Sequence, residues 1–195
     1  MAKKAAILII DALNSFDFTG GDALAEAAQG IVGPIESLRE QARAADVPVI
    51  YVNDHGGRWR AERSELVDGF LSGKGGTIAA ALKPGAEDYF VIKPESSGFY
   101  ATTLPALLPR LGVTRLVITG LAADICVLFT AADAHMREYD IWVPGDATAA
   151  QTNDRAKWAC ELIGNGMSAE TCPTTDLTLA EWLARTPEVA PDGKG

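Results

Sequence analysis

The amino-acid sequence predicts an α/β fold, a three-layer α/β/α sandwich built on a mostly parallel, Rossmann-like sheet of six strands. Short runs rich in β-branched residues alternate with segments rich in alanine and leucine, which is the rhythm of βαβ units. The 195 residues are 48% hydrophobic, enough to fill one core without a second domain. Right-handed crossovers between parallel strands would place helices on both faces of the sheet.

Each element follows from its local pattern. Continuous apolar runs, typical of strands buried on both faces, predict strands at 5–10, 47–52, 89–92, 115–119 and 141–143. A sixth strand at 167–171 is predicted from the alternation alone, because its run is short and mixed. Helical periodicity predicts helices at 31–45, 104–111, 127–139, 156–164 and 177–184. We expect one domain over residues 1–185 and a tail over 186–195, where proline, glycine and charged residues accumulate.

Charge and cysteine content bound the partners and the compartment. A formal net charge of −9 disfavours nucleic acid and anionic lipid, and no apolar run approaches the roughly 20 residues of a membrane span. The three cysteines form no paired framework and no apolar signal segment is apparent, so we expect a reducing cytoplasm. Cys160 and Cys172 have no base or glycine turn nearby, and we expect them only to pack.

Polar residues that follow the strands are the candidates for chemistry, because in open α/β sheets ligands bind at the carboxyl ends of the strands. Asp11 follows the first strand, Lys93 the third, and Cys126 lies where the fourth strand leads through Gly120 into a helix. A cysteine at a helix N-terminus can have a lowered pKa. Taken singly, each residue also fits a structural role: a turn, a solvated strand end and a packed thiol. Together they provide a base, a cation and a nucleophile.

Three segments carry a resemblance to a known family. They are LIIDALNSF at 8–16, VIKPESSGF at 91–99 and GLAADICV at 120–127, the last continuing through Thr130, Ala131, Asp133 and Ala134 to Asp146 and Ala147. In this order and spacing they resemble the isochorismatase-like cysteine hydrolases, which include nicotinamidases, N-carbamoylsarcosine amidohydrolases and ureidoacrylate amidohydrolases. The resemblance spans most of the chain.

The resemblance implies a catalytic triad and a mechanism. Asp11 would be the general base, Lys93 its charged neighbour and Cys126 the nucleophile that forms a thioester with a small amide, carbamoyl or ureido substrate. It also implies a cis peptide between Leu121 and Ala122, and an oxyanion hole formed by the N–H groups of Ala122 and Cys126. Members of the family form homo-oligomers that help to wall the pocket, so a homo-oligomer is expected.

Aromatic and amide side chains near the strand ends are the candidates for substrate binding: Asn14, Phe16, Phe18, Trp59, Phe99 and Tyr100. Trp59, between arginines in a glycine-rich loop, is expected to be exposed. Arg58 or Arg60 either meets a substrate carboxylate or pairs with a neighbouring glutamate. The sequence leaves both possibilities open.

The histidines argue against a metal. Nicotinamidases of this family bind zinc through an Asp-x-His arrangement and further histidines, whereas this chain has only His55 and His135, on distant elements. We expect no metal and no cofactor, with His55 at a turn or pocket rim and His135 packed on its helix. Leu13 stands where many members of the family have glutamine, which changes the hydrogen bonding near Asp11.

Other function classes remain to be weighed. The turn after the first strand lacks the glycines of a dinucleotide site. A non-catalytic binding or scaffold module would use the same fold, since one fold serves many functions. Isochorismatase-type hydrolysis of a vinyl ether is a third possible function, and the enzymes that catalyse it do not all need the cysteine. The retained Cys126 favours acyl chemistry and a metal-independent amidohydrolase.

Overall fold

The computed structural model describes residues 4–60 and 62–185. Its centre is a parallel sheet of six strands in the order β3-β2-β1-β4-β5, with β6 pairing with β4 beyond the end of β5. The strands are β1 (Lys4–Ile10), β2 (Val49–Asp54), β3 (Tyr89–Lys93), β4 (Val113–Leu121), β5 (Asp140–Trp142) and β6 (Thr148–Ala149). These features confirm the predicted α/β sandwich.

Helices cover both faces of the sheet, and alternate residues of each strand face opposite layers. In β1, Ile7 and Ile9 pack with one group of helices, and Leu8 and Ile10 pack with the other. The first layer contains α1 (Gly21–Gln29), α2 (Val32–Ala44), α3 (Arg63–Leu71), α4 (Gly76–Ala81) and α8 (Leu179–Ala184). The second contains α5 (Leu104–Arg110), α6 (Leu128–Met136) and α7 (Asn153–Met167).

Most predicted elements are present, with one error among the strands. Residues 167–171 do not form the sixth strand, because α7 continues to Met167 and only Glu170 bridges to Trp142 beside the sheet. The sixth strand is the short β6, next to β4. Helices α1, α3 and α4 were not predicted, and the predicted tail at 186–195 lies outside the described residues.

Arg115 attaches α8 to the sheet. Its guanidinium is buried, forms an ion pair with Asp140 at 2.7 Å and donates hydrogen bonds to the carbonyl oxygens of Trp182 and Leu183 at 2.8 and 3.0 Å. It also lies 4.0 Å from the ring centroid of Trp182. Both the charge and the donors of this buried side chain are therefore satisfied. No helix within the described ranges combines the length and the apolar character needed to cross a membrane.

Candidate active site

Three strand ends bring Asp11, Lys93 and Cys126 together. Strands β1, β2 and β3 are neighbours, so their carboxyl ends place Asp11 and Lys93 across the end of β2, while β4 delivers Cys126 from the other side of β1. The Lys93 ammonium nitrogen Nζ lies 2.7 Å from Asp11 Oδ2 and donates a hydrogen bond to Cys126 Sγ at 3.4 Å. It also donates to the Glu95 carbonyl oxygen at 3.1 Å. Base, cation and sulfur therefore form one contiguous group.

The backbone around this group has little freedom. Gly120 has a φ of +104°, and a Cβ there would lie 2.0 Å from the carbonyl oxygen of Ile10. Only glycine permits this close approach of β4 to β1. One residue further on, the peptide bond between Leu121 and Ala122 is cis. A π-helical turn over Ala123–Val127 then contains Cys126 and leads into α6.

Asn53 and Asp54 hold the turn that presents Asp11. The buried Asn53 side chain donates to the Leu13 carbonyl oxygen at 2.9 Å and accepts from the Leu13 N–H at 3.3 Å. The backbone N–H of Asp54 donates to Asp11 Oδ1 at 2.7 Å. Asp11 itself has a left-handed φ of +44°. One carboxylate oxygen is thus fixed by β2 and the other faces Lys93.

A second set of contacts fixes the loop after β3 to α6. The N–H of Gly98 donates to Thr130 Oγ1 at 2.9 Å, and the Ser97 hydroxyl donates to the Asp133 carboxylate. The Ser97 oxygen also accepts the N–H of Phe99 at 3.1 Å. Because Lys93 begins this loop and Cys126 precedes α6, these bonds set the distance between ammonium and sulfur.

Burial dominates the electrostatics of the site. It raises the pKa of Asp11, and the nearby Lys93 ammonium offsets this only in part. For Lys93, burial acts to lower the pKa, but the combined effects of Asp11 and Cys126 outweigh it and the pKa is raised. Burial, assisted by the Asp11 charge, raises the pKa of Cys126 to about 12. The lowered thiol pKa predicted from the sequence is therefore wrong, because burial and the Asp11 charge together outweigh the Lys93 ammonium.

The arrangement suits a base that acts on a neutral thiol. Asp11 Oδ2 and Cys126 Sγ both contact Lys93 Nζ, at 2.7 and 3.4 Å, and the Asp11 carboxylate is near enough to raise the pKa of the Cys126 thiol, so this carboxylate is placed to accept the thiol proton. A raised pKa makes Asp11 a stronger proton acceptor than an exposed carboxylate. Lys93 stays charged and stabilises whichever of the two groups is anionic.

Two adjoining cavities open onto Cys126, and both are lined by Asp11, Asn14, Phe18 and Cys126 itself. We call them the larger lobe, of about 480 Å³, and the smaller lobe, of about 160 Å³. The larger lobe is also lined by Leu13, Ser15, Asp17, Asn53, Asp54, Gly56, Phe70, Lys93, Pro94, Glu95 and Ser96. The smaller lobe is also lined by Leu24, Leu121, Ala122, Asp124, Ile125, Gln151 and Arg155.

The predicted substrate-binding residues divide into two groups. Asn14 and Phe18 line both lobes. The other four line neither lobe: Phe16, Trp59, Phe99 and Tyr100. Phe16 and Phe99 are buried in the core on opposite faces of the sheet, and Trp59 and Tyr100 are exposed elsewhere on the surface. Their assignment to the substrate wall is therefore corrected.

Sequence reasoning missed most of the acidic lining, namely Asp17, Asp54 and Glu95. Asp54 ends β2 as Lys93 ends β3, and the two are paired in register, so the strand-end rule applied to β2 would have found it. Asp17 and Glu95 stand in loops without periodicity, and no sequence signal identifies them.

The loop after β2 contains the candidate metal and arginine residues. His55 is buried beside Trp59, with ring centroids 4.5 Å apart, and its Nδ1 accepts the N–H of Gly57 at 3.0 Å. Arg58 and Arg60 line a shallow surface with Trp59, outside both lobes.

The two histidines of the chain lie on separate elements. His135 is exposed on the last turn of α6, far along the chain from His55. Within residues 4–60 and 62–185, no three His, Cys, Asp or Glu side chains are grouped so that they could hold a metal ion.

The remaining cysteines line neither lobe. Cys172 packs against the core of the first layer, and Cys160 lines a separate surface cavity of about 400 Å³ with small apolar residues. In the described part of the chain all three cysteines are free thiols.

Comparison with known proteins agrees with the sequence resemblance. The isochorismatase domain family matches residues 5–176. The chain is 42% identical over 165 residues to the uncharacterized isochorismatase family protein YaaI of Bacillus subtilis (strain 168), covering 85% of this chain and 91% of that protein. It is 31% identical over 175 residues to the ureidoacrylate amidohydrolase RutB of Variovorax paradoxus (strain S110), covering 75% and 69%. The crystal structure of N-carbamoylsarcosine amidase from Thermoplasma acidophilum matches with a TM-score of 0.69 and 30% identity, covering 90% of this chain and 99% of that one.

Proposed function

Because the chain belongs to the isochorismatase family, we propose that it is a cysteine amidohydrolase that cleaves the C–N bond of a small amide, carbamoyl or ureido compound. The observation that carries the proposal is the contact of Lys93 Nζ with both Asp11 Oδ2 and Cys126 Sγ, at 2.7 and 3.4 Å. Two similar proteins, the ureidoacrylate amidohydrolase RutB and the N-carbamoylsarcosine amidase, are named for amide hydrolysis, which supports the same reaction class.

In the first half of the reaction, Asp11 takes the proton of Cys126 as the sulfur attacks the carbonyl carbon. The tetrahedral intermediate carries its negative charge on the former carbonyl oxygen. Asp11 then gives the proton to the leaving nitrogen, the C–N bond breaks, and an acyl thioester remains on Cys126. Lys93 keeps a positive charge beside the site while the proton moves from sulfur to carboxylate to nitrogen.

In the second half, water replaces the amine. Asp11 accepts a proton from water as the oxygen adds to the thioester carbon, and the Cys126 sulfur leaves and recovers that proton. The products are a carboxylic acid and the free thiol. Asp11 therefore acts first as a base and then as an acid in each half of the reaction, a role that suits a carboxylate with a raised pKa.

For the oxyanion we propose the N–H groups of Ala122 and Cys126. Ala122 lines the smaller lobe beside Cys126, at the end of β4. A single donor of this kind contributes roughly 3–4 kcal/mol to lowering a barrier. This assignment places the carbonyl oxygen toward the smaller lobe and leaves the larger lobe for another part of the substrate.

Replacing Cys126 tests the nucleophile directly. The Cys126→Ala variant should lose turnover of every amide that the unmodified protein hydrolyses. Cys160→Ala is the matched control, because that thiol lies in a different cavity, and its turnover should be unchanged. Undiminished turnover by Cys126→Ala would eliminate the thioester mechanism.

We propose that this reaction needs no metal. The support is the donor set: although the buried Nε2 of His55 has no partner, His135 lies on a different element, and no three His, Cys, Asp or Glu side chains of the described residues are grouped so that they could hold a metal ion. Prolonged treatment with a chelator should leave the turnover unchanged. Loss of turnover with recovery on adding zinc would contradict the proposal.

A homo-oligomer is also proposed. Its support is a set of exposed apolar side chains on the adjacent helices α6 and α7: Phe129, Met136, Trp158 and Leu162. Light scattering after size-exclusion chromatography should give more than one chain per particle. The Phe129→Ser and Trp158→Ser variants should dissociate it, whereas Tyr89→Ser, on β3, should not. A monomeric unmodified protein would end this proposal.

A cytoplasmic location is proposed from the free thiols of the described residues. Thiol titration of the freshly isolated, denatured protein should count three reactive groups for the three cysteines of the chain. A count of one, which would show a disulfide, would contradict this proposal.

A further inference from the structure

The charges of the two lobes do not balance. Among the lining residues the cations are Lys93 and Arg155, and each already pairs with a lining carboxylate. Lys93 pairs with Asp11 at 2.7 Å, and Arg155 pairs with Asp124. Three further carboxylates line the larger lobe: Asp17, Asp54 and Glu95. We call these three the cavity carboxylates.

The cavity carboxylates have no basic partner within 4.0 Å among the described residues. The Asp17 charge contributes to raising the pKa of Lys74, but the Lys74 ammonium forms its ion pair with Asp22, at 2.9 Å. Arg58 and Arg60 line the separate surface around Trp59 and do not line the lobe. The larger lobe therefore keeps an excess of negative charge.

A walled cavity strengthens this excess. Asp54 is half-buried, and low-dielectric walls focus the field of charges that line a cleft, whereas Asp17 and Glu95 are exposed and solvent screens their charges more strongly. Aromatic side chains complete the wall, with Phe18 at the opening shared by both lobes and the buried Phe70 in the larger lobe. The faces of such rings attract cations and offer nothing to a carboxylate.

We infer that the substrate carries a positive charge, an ammonium or guanidinium group, which occupies the larger lobe while its amide carbonyl lies at Cys126. This inference rests on the proposed amidohydrolase reaction and specifies its substrate class. The interpretation that Arg58 or Arg60 binds a substrate carboxylate is thereby set aside, since neither side chain lines the lobe. A carboxylate-bearing amide would meet three unneutralised carboxylates and be rejected.

Thiol-reactive reagents of different charge test the field at Cys126 without any knowledge of the substrate. The three reagents are the cationic 2-aminoethyl, the anionic 2-sulfonatoethyl and the neutral methyl methanethiosulfonates. Modification of the Cys126 peptide is followed by mass spectrometry, and each rate is divided by the rate of the same reagent with free cysteine. We expect the cationic reagent to exceed the anionic one by about tenfold or more at low salt.

Charge-removing variants show whether the cavity carboxylates cause the preference. In the Asp17→Asn, Asp54→Asn, Glu95→Gln triple variant the preference should fall to about threefold or less.

The control must lose the same total charge elsewhere, because the chain has a net charge of −9. Exposed acidic residues just before β2, β3 and β5, at the opposite edge of the sheet, provide it: Asp46, Glu87 and Glu138. The triple variant Asp46→Asn, Glu87→Gln, Glu138→Gln should keep most of the preference.

Turnover separates this inference from the proposed reaction. The panel contains three amides of similar size: β-alaninamide, which is cationic, butanamide, which is neutral, and succinamate, which is anionic. We expect kcat/KM to fall in that order, by about tenfold or more from first to last.

Each outcome has one meaning. Three results would overturn the charge inference and leave the amidohydrolase proposal standing. The anionic reagent could react with Cys126 as fast as the cationic one or faster, the control variant could lose the preference as fully as the cavity-carboxylate variant, or no reagent could reach Cys126. A reagent preference that depends on the cavity carboxylates supports the charge inference whichever amides react. If the same protein hydrolysed only a vinyl ether, the amidohydrolase proposal would fail while the preference for cations remained.

Discussion

Replacing Lys93 by methionine removes the cation that faces the Asp11 carboxylate, and it should lower the free energy of unfolding by about 3–5 kcal/mol near pH 8. Lys93 is 1% exposed and Asp11 6%, so water cannot take the place of the lost ammonium. The ion pair measures 2.7 Å, and its loss leaves an uncompensated buried charge. Methionine has a similar length and fits an apolar environment, so little of the loss should come from a cavity.

The loss should depend on pH in a defined direction. Burial already raises the folded-state pKa of Asp11 above its unfolded value of 3.8, and removing Lys93 raises it further. A carboxyl group with a raised pKa contributes stability below its unfolded pKa, and that stability disappears as the pH rises through the folded pKa. The difference between variant and unmodified protein should therefore be small below about pH 4 and should grow toward pH 8. Lys93 titrates above its ordinary value of 10.5, so it stays charged across this window.

Urea denaturation followed by tryptophan fluorescence measures this difference at each pH, since the chain has four tryptophans. The Asp11→Asn variant removes the charge on the other side of the pair and serves as a control. The Lys93→Met, Asp11→Asn double variant should recover stability relative to Lys93→Met alone at pH 8. A loss that is the same at pH 4 and pH 8, or a double variant no more stable than Lys93→Met, would refute the reasoning.

Further predictions concern the thiol, the β4 turn and the attachment of α8. Labelling of Cys126 by iodoacetamide should keep accelerating from about pH 7 to pH 10, because burial raises its pKa to about 12, and a plateau near neutral pH would contradict this. Gly120→Ala should cost about 3 kcal/mol or more in unfolding free energy, because its Cβ would lie 2.0 Å from the carbonyl oxygen of Ile10. Gly166→Ala, in α7, where the new Cβ would make an ordinary 3.7 Å contact with Leu162 Cδ1, should instead stabilise by up to about 1 kcal/mol, and equal effects of the two substitutions would contradict the argument. Arg115→Met should cost about 2–4 kcal/mol and increase hydrogen exchange in α8, and unchanged exchange there would show that Arg115 does not hold the helix.

The strand ends could be predicted because they follow from periodicity and topology. Parallel strands bring their carboxyl ends to one edge, so the sequence alone predicts that Asp11, Lys93 and Cys126 lie there. The strands themselves are short continuous apolar runs, a pattern typical of parallel strands that are buried on both faces. By contrast, α3 and α4 are short, and their stretch of chain contains glycines and isolated apolar residues without a clear helical period.

The direction of loop side chains could not be predicted in this way. Phe16 has a left-handed φ of +55°, which belongs to the turn that places its ring in the core rather than in the lobe. Phe99 packs in the opposite core, in a turn where its N–H donates to Ser97 Oγ. The raised pKa of Cys126 could not be predicted for a related reason, since the burial of this thiol depends on contacts distant in sequence. Sequence patterns therefore predicted the group of Asp11, Lys93 and Cys126 but not the shape of the cavities around it.

The central claim is that Cys126 attacks a carbonyl carbon with Asp11 as its base. Mass spectrometry of the intact protein, quenched in acid during turnover of an amide, measures this most directly. We predict a mass increase equal to the acyl part of the amide, located by digestion on the Cys126 peptide and absent from the Cys126→Ala variant. Turnover with no such adduct at any quench time, together with undiminished turnover by that variant, would contradict the account.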